Sequence, residues 1–276
     1  MISFFRGGKM KEKHEADRDK IVVKANELIQ QSRFSLSVQQ QKIVLYLISQ
    51  IQAWDDDFKL YEFNIIDFCK MCGIDYDNGK NYANLKDAVK IIADKSLWVT
   101  LENGRETLLR WIEKPYIDKN NGTIQIRLDK DMKPFLLQLK KNFTRYELFW
   151  TLSFKSKYTI RLYELIKSVH YKENEIYIKE FDLKELKRMM GAEHYKTYQH
   201  FKERALLPAI AEINGYSDKN IEYDIIKRGR AISGIRFTIS TKETMERIRL
   251  SSEIEKELGL NQMTLWDYLI EAEKKV

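Results

Sequence analysis

The sequence is poor in the residues that build disulfide frameworks, metal centres and membrane spans. Its 276 residues include two cysteines, four histidines and three prolines. No uninterrupted apolar run approaches the roughly 20 residues of a membrane-spanning helix. Residues 1–20 mix both signs of charge and lack the apolar stretch of a signal peptide. We therefore expect a cytoplasmic protein without membrane contact, and we interpret residues 1–20 as a flexible N-terminus.

The two cysteines, Cys69 and Cys72, form one C-x-x-C pair inside a predicted helix. A structural zinc ion normally has four protein ligands. The sequence offers neither a second C-x-x-C nor a pair of histidines to complete such a site. We therefore interpret both cysteines as ordinary helix residues, and we expect no metal and no other cofactor.

Two enzyme classes lack their signatures as well. Enzymes that nick DNA with a tyrosine and a metal ion place two histidines one residue apart, and this spacing does not occur here. The four histidines are His14, His170, His194 and His200. The phosphate loop of ATPases, G-x-x-x-x-G-K-[ST], is also missing. We therefore expect a binding protein that is not an enzyme.

The most informative feature present is an internal repeat. Residues 63–73 and 181–191 both begin with Phe followed by Asn or Asp, and both carry Met and Gly at the ninth and eleventh positions. Their offset of 118 residues exceeds the period of solenoid repeats, so each copy should be a whole domain. We divide the chain into an N-terminus, 1–20, a first domain, 21–132, a second domain, 133–240, and a C-terminal tail, 241–276.

Local capping signals predict the same helices in both copies. Ser37 and Gln40 form a capping box that opens a helix in the first copy. Asn64 and Asp182 occupy the N-cap position of the repeated helix, each with an acidic residue three positions later. The glycines that end this helix are Gly73 and Gly191. A third helix is predicted over residues 82–93 and, in the second copy, 195–213.

After the third helix the apolar pattern changes from helical to alternating. Asn103-Gly104 is a strong signal for a tight hairpin in the first copy, and Lys227-Arg228-Gly229-Arg230 separates two strands in the second. The predicted strands are 97–101, 107–112 and 123–128, then 221–226 and 235–239. Three helices followed by a hairpin indicate a winged helix. The predicted fold class is therefore α+β, with two tandem winged-helix domains and a helical C-terminal tail.

The positive charge is concentrated in the second domain. Residues 21–132 carry 15 basic and 16 acidic residues, whereas residues 133–240 carry 21 basic and 13 acidic ones. Within the second domain, residues 133–172 alone have nine basic and two acidic side chains. Such a bias attracts a phosphate backbone, although a solvated cationic surface explains the charge equally well. We expect this domain to bind a polyanion.

The third helix of a winged helix enters the major groove, and its outer face reads base edges. A helical projection of residues 195–207 places four candidates on that face: Lys196, Gln199, His200 and Glu203. The candidates for contact with the DNA backbone are Lys155, Lys157, Arg161, Tyr195, Lys202, Arg204, Lys227, Arg228 and Arg230. A plain solvated face remains the alternative for Gln199, His200 and Glu203. Pro208 should kink the helix, so that the part beyond it serves packing.

The corresponding surface of the first copy is short and nearly neutral. Its outer positions are Lys80, Ala83, Asn84 and Asp87, and the hairpin tip at residues 102–106 is net acidic. We therefore expect the first domain to serve mainly self-association, with weaker contacts to the DNA backbone.

Several segments together resemble one known family. They include Asn26-Glu27-Leu28, residues 160–165, Glu212-Ile213-Asn214 and the basic turn at 227–230. Over about residues 22–240 the chain resembles the iteron-binding plasmid replication initiators with two winged helices. The resemblance implies monomers that bind directly repeated origin sites, help to melt AT-rich DNA and recruit host replication proteins such as the helicase or the host initiator. It also implies base recognition by the second domain, and dimers that form through the first domain and often repress their own gene.

The tail carries a short candidate motif for one host partner. Residues 262–266, Gln-Met-Thr-Leu-Trp, resemble the motif that binds the bacterial sliding clamp, in which Gln262, Met263, Leu265 and Trp266 would fill a polar and an apolar pocket. The alternative is that Leu265 and Trp266 belong to the apolar stripe of a docked helix.

Two rival functions share much of this pattern. A transcriptional repressor with tandem winged helices would have the same fold, basic hairpin and dimer, and the sequence barely separates it from an initiator. A protein-interaction module is disfavoured by the cations of the second hairpin.

Overall fold

The computed structural model describes residues 20–72, 81–101, 103–170, 172 and 175–258. Within these residues the helices are α1 (Asn26–Gln31), α2 (Val38–Ile48), α3 (Ile65–Met71), α4 (Asn81–Asp94), α5 (Lys133–Leu136), α6 (Phe149–Leu152), α7 (Lys157–Val169), α8 (Leu183–Met189), α9 (Tyr198–Phe201), α10 (Leu207–Tyr216) and α11 (Thr244–Leu258). The strands are β1 (Ile21–Ala25), β2 (Ser32–Arg33), β3 (Tyr61–Asn64), β4 (Ser96–Thr100), β5 (Glu106–Arg110), β6 (Tyr116–Asp118), β7 (Thr123–Ile126), β8 (Phe143–Glu147), β9 (Tyr177–Asp182), β10 (Lys219–Arg228) and β11 (Ala231–Thr241). None of the helices in this part of the chain combines the length and apolarity needed to cross a membrane.

The predicted helix caps are confirmed. The Ser37 hydroxyl and the Gln40 side chain form a reciprocal capping box at the start of α2. The Asn64 and Asp182 side chains each accept hydrogen bonds from two backbone N–H groups at the start of α3 and α8. Gly191 lies just beyond the end of α8 and terminates it: its φ of +66° suits glycine, and the N–H of Ala192 donates to Lys187 O at 2.8 Å. The repeat is therefore visible in local structure.

Both cysteines are buried, and the prediction that they are helix residues is confirmed for Cys69 alone. Cys69 lies in α3 and Cys72 directly follows that helix, and neither side chain is accessible to solvent. Burial raises the pKa of Cys69 to about 11 and that of Cys72 still further, so both thiols stay protonated. They contribute to packing in the first domain.

The second domain carries a three-stranded sheet in the order β10-β11-β9. Its inner face is apolar: Phe181, Ile235 and Phe237 are buried against the helices. The hairpin β10–β11 extends beyond this sheet to the turn at residues 227–230, and the register shifts between Ile226 and Lys227. This hairpin is the wing of the second domain.

The first domain has two small sheets, β2-β4-β5 and β3-β7-β6. The predicted hairpin around Asn103-Gly104 exists as β4–β5, and the predicted third strand exists as β7. However, β7 pairs with β3, just as β11 pairs with β9, so β6–β7 is the hairpin that corresponds to the wing. The interpretation of residues 102–106 as the wing tip of the first domain was therefore wrong, and the corresponding turn is at residues 119–122.

The third helix of the second domain starts later than predicted. It begins with α9 at Tyr198 rather than at Tyr195, because the Thr197 hydroxyl caps it by accepting from His200 N. A wider π-helical stretch, Lys202–Leu206, joins α9 to α10. Pro208 has no backbone N–H and cannot donate to the preceding turn. The π-helical stretch lies in that turn, and the helix continues through the proline as α10. Beyond it, Ala209 and Ile213 are fully buried, which confirms the predicted packing role.

The two halves of the chain share elements. Strand β1 pairs antiparallel with β8, from Ile21 opposite Glu147 to Ala25 opposite Phe143. This pairing joins the predicted first domain to the predicted second domain. The boundary between residues 132 and 133 stays a prediction. The tail is helical where it is described: α11 buries Ile248 and Ile254 and lies near α10.

Candidate nucleic-acid interface

The start of the third helix presents a polar face to solvent. Gln199, His200 and Glu203 are exposed, whereas Phe201 and Ala205 on the opposite side are completely buried. The Gln199 amide donates a hydrogen bond to the Glu203 carboxylate one helical turn later. The helical projection is confirmed for these residues, and the pair holds one amide and one carboxylate in a fixed relation on the outer face.

Lys196 and Tyr195 lie in the loop before α9 rather than on the helix. Lys196 is exposed beside the helix start, and Tyr195 is half-buried. The Tyr195 ring lies 4.1 Å from the His194 ring, centroid to centroid, and its hydroxyl accepts from the Tyr158 hydroxyl at 3.4 Å. Their predicted place on the helix was therefore wrong, because the Thr197 cap sets a later start.

The wing carries the densest exposed positive charge near this face. Lys227, Arg228 and Arg230 are all exposed around Gly229, whose φ is +59°. The positive φ favours glycine and makes the tight turn that places three cations within four residues. The wing tip can therefore approach a phosphate backbone with three cations and no acidic residue among them.

Arg161 does not belong to this surface, and its predicted contact with the DNA backbone is wrong. The side chain is 4% exposed. Its Nε donates to Met189 O and its Nη2 to Ile29 O, both at 2.9 Å. Nη1 lies 3.6 Å from the Glu164 carboxylate one turn along α7. Because the guanidinium is held inside the protein by these partners, it is a structural residue that ties α1 and α8 to α7.

Arg161 is part of a buried polar network between β1, β8 and α7. Lys24 Nζ lies 2.6 Å from Glu164 Oε1, and the Tyr146 hydroxyl donates to the same oxygen at 2.7 Å. Burial alone would raise the pKa of Glu164, but Lys24 and Arg161 outweigh it and hold this pKa below its usual value. Removing one partner from such a network leaves an uncompensated buried charge, which is strongly destabilising.

The remaining candidates from the basic run lie at the start of α7. Lys155 is exposed, and its Nζ lies 3.2 Å from Glu257 of α11. This hydrogen bond to Glu257 raises the pKa of Lys155. Lys157 is half-buried, with its Nζ 5.0 Å above the ring of Tyr158. Farther along, Lys202 is half-buried and Arg204 exposed on the π-helical stretch. All four remain accessible to a phosphate group.

A groove beside the helix start adds three cations, Lys184, Lys187 and Arg188, that the sequence interpretation missed. It has a volume of about 770 Å³ and lies between α8 and the base of the wing. Its basic side chains are Lys184, Lys187, Arg188 and Lys196. The sequence signal for these cations is the Lys-x-x-Lys-Arg pattern of α8. Arg188 also contacts Gln31 of α1 at 3.4 Å, so this groove adjoins the junction of the two domains.

The wing turn of the first domain carries less positive charge than that of the second domain. Ala83, Asn84 and Asp87 are exposed on α4, as predicted. The turn that corresponds to the wing tip contains one cation, Lys119, and the preceding Asp118 accepts hydrogen bonds from the next residues. The predicted difference in charge is therefore visible at the two wing turns, which carry one and three cations.

Some predicted residues lie outside the described part of the chain. They are His14, the helix-ending Gly73, Lys80, Glu102 of the first hairpin tip, and the clamp-motif residues Gln262, Met263, Leu265 and Trp266.

Comparisons with known proteins agree with this architecture. The family model described as "Initiator Replication protein, WH1" matches residues 21–167, and the one described as "Initiator Rep protein, WH2" matches residues 182–239. A curated Escherichia coli protein, "Replication initiation protein", is 26% identical over 234 residues, which cover 82% of this chain and 71% of that protein. The crystal structure of Pi initiator protein in complex with iteron DNA aligns with a TM-score of 0.66 at 19% identity, covering 83% of this chain and 100% of the other.

At that identity the structural likeness shows the shared fold. The family assignment rests on the two family models, of which the first alone covers more than half of the sequence. The chain therefore belongs to the initiator Rep protein family, the DNA-binding plasmid replication initiators built from two winged-helix domains.

Proposed function

We propose that this protein initiates plasmid replication by binding directly repeated double-stranded sites at the origin as a monomer, with base recognition by the second domain. One observation carries the proposal: an exposed polar helix face, Gln199, His200 and Glu203, lies in the same winged helix as the three-cation wing tip. The related Pi initiator, whose structure contains iteron DNA, supports it by its fold. Because the proposed target is a plasmid, we expect the protein in the cytoplasm. We also expect it to bind DNA without enzymatic activity.

The polar face offers a chemically distinct group for each kind of base edge. An amide such as Gln199 pairs with adenine, a carboxylate such as Glu203 accepts from cytosine, and Lys196 donates to guanine. His200 adds a ring nitrogen to the same face. The backbone contacts come from Tyr195, Lys155, Lys157, Lys202, Arg204, Lys227, Arg228 and Arg230. These cations set the position of the helix, while the polar face supplies sequence preference.

Self-association through the first domain is the second part of the proposal. Strand β5 is at the edge of its sheet, and Trp98 and Leu108 stand opposite each other on β4 and β5, 48% and 51% exposed. An exposed edge strand with large apolar side chains is a template for pairing with a second chain. Such a dimer would bind an inverted repeat and repress the gene of the protein itself.

Recruitment of host proteins completes the proposed role. The tail motif, Gln262, Met263, Leu265 and Trp266, remains the candidate segment for the sliding clamp, and the helicase and the host initiator are the other expected partners. If alanine at Gln262, Leu265 and Trp266 leaves clamp affinity unchanged, the clamp assignment is wrong.

Complementation separates an initiator from a repressor that shares the same DNA surface. A plasmid that carries the cognate repeats but lacks this gene is supplied with the protein in trans. We expect replication with the natural sequence and none when Lys227, Arg228 and Arg230 are all alanine. Specific binding to the repeats without any replication would instead identify a repressor.

A further inference from the structure

One face of the second domain has a charge opposite to that of the domain as a whole. We call it the acidic face. On the outer side of the wing sheet, Glu180 of β9 and Asp224 of β10 flank Arg236 of β11, and Glu222 stands in the next row. Arg236 is paired with Glu180 at 2.7 Å. Three carboxylates against one guanidinium leave this face negative within a domain that has 21 basic and 13 acidic residues.

The acidic face also exposes apolar side chains at an open strand edge. Ile176 and Ile178 are 70% and 59% exposed and point to the same side as Glu180. Strand β9 is at the edge of its sheet, so its outer backbone groups have no strand partner among the described residues. An aliphatic pair beside carboxylates and an open edge is a surface suited to a partner with an apolar groove and a basic rim.

The same chain presents such a groove on another part of its surface. We call it the basic groove. It has a volume of about 650 Å³ and lies between the end of α2, β1, α5 and β8. Its apolar wall includes Ile51, Trp54, Leu139 and Phe143, and Trp54 is 78% exposed. Lys20 and Arg145 are the basic residues that line it. The exposed Lys140 and Lys141 follow the lining residue Leu139 along the chain. Three aspartates follow Trp54: Asp55 is paired with Lys59, Asp57 is paired with Lys133, and Asp56 is exposed between them.

Directly repeated sites determine what kind of contact neighbouring copies can make. Copies bound to direct repeats all point the same way, so any contact between them joins two different surfaces. Such a head-to-tail interface needs complementary patches on one chain. The acidic face and the basic groove differ in charge and in shape, one with projecting isoleucines and the other with an apolar recess.

We propose that the acidic face of one copy docks into the basic groove of a second copy bound to the next direct repeat. Ile176 and Ile178 enter the groove beside Trp54 and Phe143, while Glu180, Glu222 and Asp224 meet Lys140, Lys141 and Arg145. The contact makes binding to adjacent repeats cooperative. It rests on the proposed binding to direct repeats, and it is separate from the dimer through β5.

The test compares duplexes that carry one or two copies of the preferred sequence, obtained by selection from random DNA with this protein. Two charge reversals are made: Glu222→Lys with Asp224→Lys in the acidic face, and Lys140→Glu with Lys141→Glu in the basic groove. A third variant combines all four changes. A control, Glu62→Lys with Asp94→Lys, alters the charge by the same amount as the first reversal at exposed sites outside both patches. The cooperativity factor is the affinity for the second repeat relative to that for a single repeat.

We expect a cooperativity factor on the order of tenfold for the natural sequence, since a few exposed ion pairs contribute that much together. Each reversal alone should bring the factor to about one, while the fourfold variant and the control should retain it. An equimolar mixture of the two reversals should also retain it, because each variant then meets its complement. Inserting half a helical turn between the repeats should remove it, since the neighbours then face different sides of the DNA.

The outcomes separate this proposal from the proposed function. Failure to bind even one repeat would overturn the function. Binding to one repeat without cooperativity in the natural sequence, or cooperativity that survives both reversals, would overturn the docking contact. Loss of cooperativity in the fourfold variant and in the mixture would also contradict it, because complementarity is then not what the reversals changed.

Discussion

Removing the charge of the wing tip tests the division of labour between the two domains. Lys227, Arg228 and Arg230 are exposed around one turn, so their replacement by alanine should disturb no buried contact. A protein that neutralises phosphates releases counterions, and the logarithm of its binding constant falls with that of the salt concentration by about 0.9 per phosphate contact. If all three cations contact phosphates, their loss should reduce this slope by about 2.7.

The size of this effect is easily measured. A slope change of about 2.7 means that, between 50 and 200 mM salt, the variant loses roughly 40-fold less affinity than the natural sequence. Fluorescence anisotropy with the selected duplex at four or five salt concentrations gives the slope for each protein. Circular dichroism and a thermal melt show that the variant is folded.

The matched control removes three cations from the first domain: Lys80, Arg105 and Lys119. It changes the net charge equally and leaves the second domain unaltered. We expect its slope to change by less than one. An equal change in slope for the two triple variants would refute the assignment of backbone contact mainly to the second domain.

Three further predictions concern the interior and the dimer. Arg161→Ala should lower the free energy of unfolding by about 3–5 kcal/mol in urea denaturation, because it leaves buried carbonyls and Glu164 without this partner; unchanged stability with weaker DNA binding would restore its predicted role at the DNA surface. Burial lowers the pKa of Lys42 to about 8 from 10.5, so the unfolded state binds more protons between these pH values and stability should rise with pH there, by up to about 3 kcal/mol. Lys42→Met should lack this rise when both proteins are unfolded in urea from pH 7.5 to 10.5, and parallel curves would contradict the burial argument. Trp98→Glu with Leu108→Lys should keep the protein monomeric in sedimentation at concentrations where the natural sequence dimerises, and an unaltered dimer would exclude β4–β5 as the interface.

Local signals in the sequence were sufficient for the helix caps. The hydroxyl of Ser37 and the carboxylate of Asp182 bond to groups within three residues, so their partners can be named without knowing the fold. The same reasoning could have found the start of α9, since Thr197 is a good N-cap residue. The helical periodicity of the sequence continues back to Tyr195, so periodicity alone predicts an earlier start than the N-cap residue does.

The errors came from long-range structure. Alternating residues identified β7 as a strand, but its pairing with β3 depends on contacts about 60 residues away along the chain, and no local rule supplies them. Arg161 stood in a basic run, and its burial depends on carbonyls of Ile29 and Met189 from distant helices. Charge counts therefore identified the more basic domain but not which of its cations reach the surface.

Base recognition by the start of the third helix in the second domain is the central claim, and selection from random DNA tests it most directly. The natural sequence and the variant with alanine at Gln199, His200 and Glu203 are each used to enrich bound duplexes, which are then sequenced. We expect the variant to bind DNA with a similar salt dependence. Its discrimination against the wrong base should fall by about 1–3 kcal/mol at each base pair that these side chains contact. Identical sequence preferences for the two proteins would contradict it.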